Sequence, residues 1–181
     1  MAPPAAESSF DIAYWFLDRA RDEGEYLQPQ KLHRLMYLAQ AYFAVAYRGR
    51  LLMPAVFVAD ALGPVEPNVF RACEIQRPGI EPRPLSEAVA RFLDGVWRRY
   101  GHQSADDLTS LVTGHAPYVV AIAEGAGSEI PLTAMAAFYG RKVAPPGTKP
   151  PPQPARGPQV MRSQHGRSVA VQAWAPKEKG S

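Results

Sequence analysis

Four histidines, one cysteine and an acidic run are the side chains of this chain with the means for acid–base, nucleophilic or metal chemistry. His33, His102, His115 and His165 form no pair at the spacing that places two ligands on one helix turn or in a finger. His102, Asp106 and His115 flank one short segment and would suit a metal-assisted hydrolase, a reading weighed against three ordinary loop residues. Cys73 has no second cysteine for a disulfide or a zinc site. The carboxylates Asp18, Asp22, Glu23 and Glu25 follow one another near a helix end, where a solvated cluster is the simpler account. Neither G-x-G-x-x-G nor the Walker pattern occurs, Gly125 and Gly127 lead into no Lys-Ser or Lys-Thr, and no serine stands in G-x-S-x-G. Composition and spacing therefore offer no active site; no enzyme, no cofactor and no metal is expected.

Polar side chains inside an apolar helix are the other candidates. Pro29 to Arg50 carries Leu32, Leu35, Met36, Ala39, Phe43 and Ala46 at steps of three and four, opened by a proline suited to a first helical turn. Lys31, Arg34 and Gln40 interrupt this central helix. Around it, Ser8 and Asp11 have the form of a capping box and open a helix from about Phe10 to Glu23. Ala55 to Ala59 is a brief extended segment, Gly63-Pro64 marks a turn, and Pro67 begins a short helix through Val69, Phe70 and Cys73. After the loop 76–84, a helix runs from Leu85 to Tyr100. Ser104 with Asp107 opens another that stops near Gly114, Ala116 to Glu124 follows, and Pro131 to Tyr139 closes the body. The expected fold is all-α, mainly helical with room for one short β segment: a flexible N-terminus at 1–8, one helical domain at 9–140, and a disordered, basic, Pro-rich tail at 141–181.

The net charge of +3 is unevenly placed. Residues 1–140 hold 12 Lys and Arg against 16 Asp and Glu, and residues 141–181 hold 8 against 1. A folded basic face that grips nucleic acid is thus disfavoured, although the tail could pair with phosphates. Within the tail, Ser168 to Trp174 alternates small or polar residues with larger apolar ones, and is either a strand for a partner's sheet or for the domain's own short extended segment, or a chance apolar patch. No secretory leader and no membrane-length apolar run is visible, so a cytoplasmic location is expected.

Three stretches together resemble a known family: K-L-x-x-L-x-Y-x-A-Q from Lys31, G-P-V-x-P from Gly63, and V-W-x-x-Y-G-x-x-S-A-x-x-L from Val96. In order and spacing they are similar to the Panacea domain, also called the SocA-like or phage-associated GepA domain, over about residues 10–140. The resemblance implies a mostly helical antitoxin that binds and neutralises a cognate protein toxin. In the SocA type it also acts as a proteolytic adaptor delivering that toxin to the ClpXP protease (ClpX and ClpP). The alternative is a DNA-binding autoregulator of a toxin–antitoxin operon. The matching positions Lys31, Tyr37, Gln40, Gly63, Pro64, Val65 and Pro67 are the expected partner edge, joined by Trp174 from the tail segment. Changing Lys31 or Gln40 to Ala is expected to weaken partner binding and leave thermal unfolding nearly unchanged.

Overall fold

The computed structural model describes residues 2–73, 79–143, 160–162 and 168–170. The chain divides into two units, Met1–Ala144 and Pro145–Ser181. In the first, seven helices and a small hairpin follow in order: α1 (Ser9–Asp22), α2 (Pro29–Ala46), β1 (Val58–Asp60), β2 (Gly63–Val65), α3 (Pro67–Cys73), α4 (Glu87–Tyr100), α5 (Ala105–Thr113), α6 (Ala116–Glu124) and α7 (Leu132–Val143).

Local chemistry sets most of these boundaries. Ser8 caps α1 in a full capping box, accepting from Phe10 N–H while the Asp11 carboxylate accepts from Ser8 N–H. Ser86 and Ser104 cap α4 and α5 through their hydroxyls, and prolines occupy the first turns of α2 and α6. Helix α2 ends at Ala46, and the Pro29–Arg50 stretch leaves it through a turn in which Gly49, at φ +85°, donates its N–H to Ala44 O at 2.7 Å. Helix α7 continues past the expected Tyr139 to Val143.

Helix α2 lies at the centre, packed against α1, α4, α5, α7 and β2. Leu35, Met36, Leu38, Ala39 and Ala41 are fully buried, so its apolar residues point in more than one direction, as a helix covered on several sides requires. Ile12 and Phe16 from α1, Leu93 and Trp97 from α4, Leu108 and Val112 from α5, and Met135 and Tyr139 from α7 complete the core. Each such side chain contributes about 2 kcal/mol through removal from water.

The β structure is larger than one segment. Gly63-Pro64 is not the turn: Ala61 and Leu62 form it, and Gly63 to Val65 return as β2, antiparallel to β1 in the register Asp60↔Gly63, Ala59↔Pro64, Val58↔Val65. A two-stranded edge tolerates the missing Pro64 N–H. On its other side β1 meets the segment before α7, where Ala59 N–H donates to Ser128 O and Ile130 N–H to Phe57 O.

In the second unit β3 (Val160–Arg162) and β4 (Ser168–Ala170) pair antiparallel, with Met161 opposite Val169. The start of the proposed interaction segment therefore pairs within the tail itself. Trp174 and the rest of the disorder expected over 141–181 lie outside the described residues beyond Val143.

Candidate functional site

Lys31 and Trp97 come from different blocks of the sequence pattern and meet at the edge of the core, where the Trp97 ring is fully buried beneath Lys31. Lys31 stands in the first turn of α2, with Nζ 5.9 Å from the centre of the Trp97 ring on α4 and 3.9 Å from a Glu25 oxygen; its side chain is 12% exposed. The Trp97 indole N–H donates to Glu23 at 3.0 Å, and Arg19 Nε donates to the same oxygen at 2.8 Å. These two donors, Arg19 first, hold the Glu23 carboxyl below its ordinary pKa. His102 stands beside the same two residues, its ring 6.2 Å from Trp97 and Nδ1 3.8 Å from Glu25. Gly101 is required here, since a Cβ would come within 2.5 Å of the Trp97 ring. Tyr26, 83% exposed, follows Glu25 in the connection to α2 and lines a surface recess with Arg21, Glu25 and Leu27. An apolar ring beside mixed charges is what the core and rim of a protein interface need.

A second polar centre lies inside the protein. Arg34, 1% exposed, donates from Nη1 to Pro64 O at 2.7 Å, from Nη2 to Leu62 O, and from Nε to Thr109 Oγ1 at 3.2 Å. Its guanidinium thus ties the β1–β2 hairpin and α5 to the central helix. Burial lowers its pKa to about 10, opposed by Tyr118 and Asp60. Tyr118 reaches the same hairpin, donating to Asp60 O at 2.7 Å. Gly63, at φ +120°, leaves the room: a Cβ there would lie 2.7 Å from the Arg34 guanidinium carbon. Beside it, His33 Nδ1 accepts the Glu66 N–H at 3.3 Å, and the buried Glu66 carboxylate accepts from Val69 N–H at 2.6 Å and Asn68 Nδ2 at 3.0 Å, starting α3.

The expected partner edge consequently divides. Gly63 and Pro64 are buried with Arg34 as the hairpin's second strand, and Val65 and Pro67 are half-buried beside them. Gln40 is a correction: it is 1% exposed, accepts Leu52 N–H at 3.0 Å and Met53 N–H at 3.2 Å, and donates to Met53 O at 3.2 Å. It pins the chain leaving α2 and offers nothing to a partner. Tyr37 is also fully buried, edge-on to Phe57 and Tyr139, with no hydrogen-bond partner for its hydroxyl among the described residues. Lys31 alone of the central-helix candidates reaches solvent.

The His102, Asp106 and His115 grouping is corrected too. His115 is buried at the start of α6, with Nδ1 2.8 Å from the Tyr139 hydroxyl and its ring against Phe138, whereas His102 is largely exposed. Among the described residues the potential ligand atoms that gather within 4.8 Å belong to Glu23, Glu25 and His102. Arg19 and Lys31 already set positive charge against those carboxylates. Sequence reasoning missed Glu25 and Trp97 as neighbours of Lys31, Glu23 as the partner of Trp97, and the target of Arg34; spacing cannot show a contact between positions 74 residues apart, as Glu23 and Trp97 are. Comparison of the chain with protein-family models, with curated proteins and with solved structures finds no match.

Proposed function

We propose that this protein is an antitoxin: it binds and neutralises a cognate protein toxin, and acts as an adaptor that delivers the toxin to ClpXP. The observation that supports a protein-binding role is the meeting of Lys31 and Trp97, from separate blocks of the family-like pattern, beneath a surface that also carries Glu25, His102 and the exposed Tyr26 ring. Trp97 is itself fully buried, so it acts as a rigid support that fixes Lys31 and Glu23. The side chains left for a partner to touch are Tyr26, Glu25 and the tip of Lys31. With the support already fixed, little ordering entropy remains to be lost there on binding.

The test is co-purification with the product of the adjacent gene, whose toxicity in the absence of this protein is scored in the same cells. Replacing Tyr26 and Lys31 together by Ala should weaken that complex about tenfold or more, as loss of a central aromatic anchor does. Undiminished binding by the double variant would remove this surface from the proposal, and retention of a promoter fragment in place of any protein would remove the antitoxin reading in favour of an autoregulator. For the adaptor step, ClpXP should degrade the labelled toxin faster when this protein is added; an unchanged rate would limit the role to neutralisation.

A further inference from the structure

Away from the side chains assigned to that surface, Arg91, Phe92, Gly95, Arg99 and Tyr100 of α4 and Tyr42 of α2 line an open groove of about 270 Å³. Its charged members are both arginines. The Tyr42 and Tyr100 rings are stacked with centres 6.0 Å apart at 24°, and their hydroxyls are 2.7 Å from one another. The Arg99 guanidinium lies over both, 5.3 Å from the Tyr42 centre and 5.2 Å from that of Tyr100. Stacking engages the face of the guanidinium and the Tyr100 hydroxyl engages part of its edge, which leaves its other N–H groups for an acceptor. Among the described residues no carboxylate stands within 4 Å of Arg99. Arg98, by contrast, is paired with Asp94, a carboxylate that Arg19 also holds, and Arg91 has only an exposed 3.6 Å contact with Glu87.

Gly95 supplies an independent sign. A glycine inside a helix costs about 1 kcal/mol relative to alanine. Here nothing in the fold requires it, since a Cβ would meet no atom within 4 Å. The bare backbone opens the floor of the groove between Phe92 and Arg99, where an incoming chain can approach closely.

We propose that this groove binds an acidic segment of a protein partner, with carboxylates on the Arg99 and Arg91 guanidinium edges, an apolar side chain against Phe92, and the partner's main chain across Gly95. Charge complementarity selects this occupant, for the lining has two cations, no carboxylate and an aromatic floor. A nucleic-acid strand fits less well, because residues 1–140 carry 12 basic against 16 acidic side chains, a net negative charge that opposes phosphates. The inference is independent of what the partner does, and of the Tyr26 surface.

The experiment uses the full chain and a fluorescein-labelled peptide, acetyl-Glu-Asp-Phe-Asp-Glu-amide, followed by anisotropy at constant ionic strength. Arg99→Gln should weaken binding about tenfold, the loss expected of a planar charge-assisted contact, while Arg98→Gln, with the same change of net charge one residue away, should alter it less than about twofold. Gly95→Leu fills the floor at an exposed helical position without changing charge, and should lose a comparable factor while the far-UV circular dichroism and Tm are kept. Absence of saturable binding to the parent chain, equal losses for Arg98→Gln and Arg99→Gln, or an unaffected Gly95→Leu would each overturn the proposal. So would a single-stranded oligonucleotide that binds the parent chain more tightly than the peptide and loses affinity in the same two variants.

Discussion

Burial keeps the His33 imidazole neutral: desolvation first, and the adjacent Arg34 cation second, lower its pKa from 6.5 to about 4. The neutral ring is the form that accepts the Glu66 N–H, and Phe70 covers it at a ring separation of 5.9 Å. Because the folded pKa lies below the unfolded one, the unfolded chain takes up the proton first as pH falls. The contribution of His33 to stability is therefore complete above about pH 6.5, declines as pH falls from there towards 4, and loses nothing further below that; its upper bound is about 3 kcal/mol. His33→Asn retains an acceptor for the Glu66 N–H without a titrating group. Urea unfolding at stepped pH should show a flatter decline between pH 6.5 and 4 in this variant than in the parent, and an equally steep decline would place the proton uptake elsewhere. Gln40 is likewise a residue whose role follows from its surroundings. Gln40→Ala strands two buried N–H groups and one carbonyl, and should lower stability by about 2–3 kcal/mol in chemical denaturation, with any loss of partner binding following from the unfolding.

The β1–β2 hairpin is the element that gives the polar interior its form. It has only three residues in each strand, too few for independent stability, and is held by Arg34 from one side and the segment before α7 from the other. Arg34→Met removes three donors from Leu62 O, Pro64 O and Thr109 Oγ1, and Gly63→Ala both forces a side chain into φ +120° and drives it onto the guanidinium. Each should cost about 2–4 kcal/mol by denaturant unfolding. Because both act on one contact, the double variant should lose less than the sum; strict additivity would show that the arginine and the glycine stabilise the hairpin separately.

At the scale of the molecule, the described core is drawn from Ala6 to Tyr139, and the long-range polar ties within it, such as Arg34 to Pro64 and Trp97 to Glu23, also lie in the first unit. A chain ending at Ala144 should therefore unfold cooperatively with a Tm within about 4 °C of the full chain, a shift corresponding to roughly 1 kcal/mol for a domain of this size. A broad, non-cooperative transition in calorimetry would mean that the tail is needed for the fold. Such a chain loses 6 of the 20 basic residues and 1 of the 17 acidic ones, which leaves 14 against 16 and turns the net charge from +3 to −2.

The sequence by itself determined the helices, because their signals are local: Ser8 with Asp11, Ser104 with Asp107, Pro29, and apolar steps of three and four act within one or two turns. It also singled out Lys31, Arg34 and Gln40, since polar groups in an apolar helix require partners. Which partners they have was decided only by the tertiary structure. Backbone carbonyls at Leu62, Pro64 and Met53 carry no side-chain identity to read, so Arg34 and Gln40 could not be told apart from surface groups until the chain had folded back on them. The pairing of Gly63–Val65 with Val58–Asp60 was hidden for the same reason: the glycine and proline that suggest a turn are accommodated because an arginine from another element fills the space beside them. Lys31 over Trp97 and Arg99 over two tyrosines likewise exist only because helices distant in the chain are packed together, which burial of their apolar faces enforces and local sequence does not record.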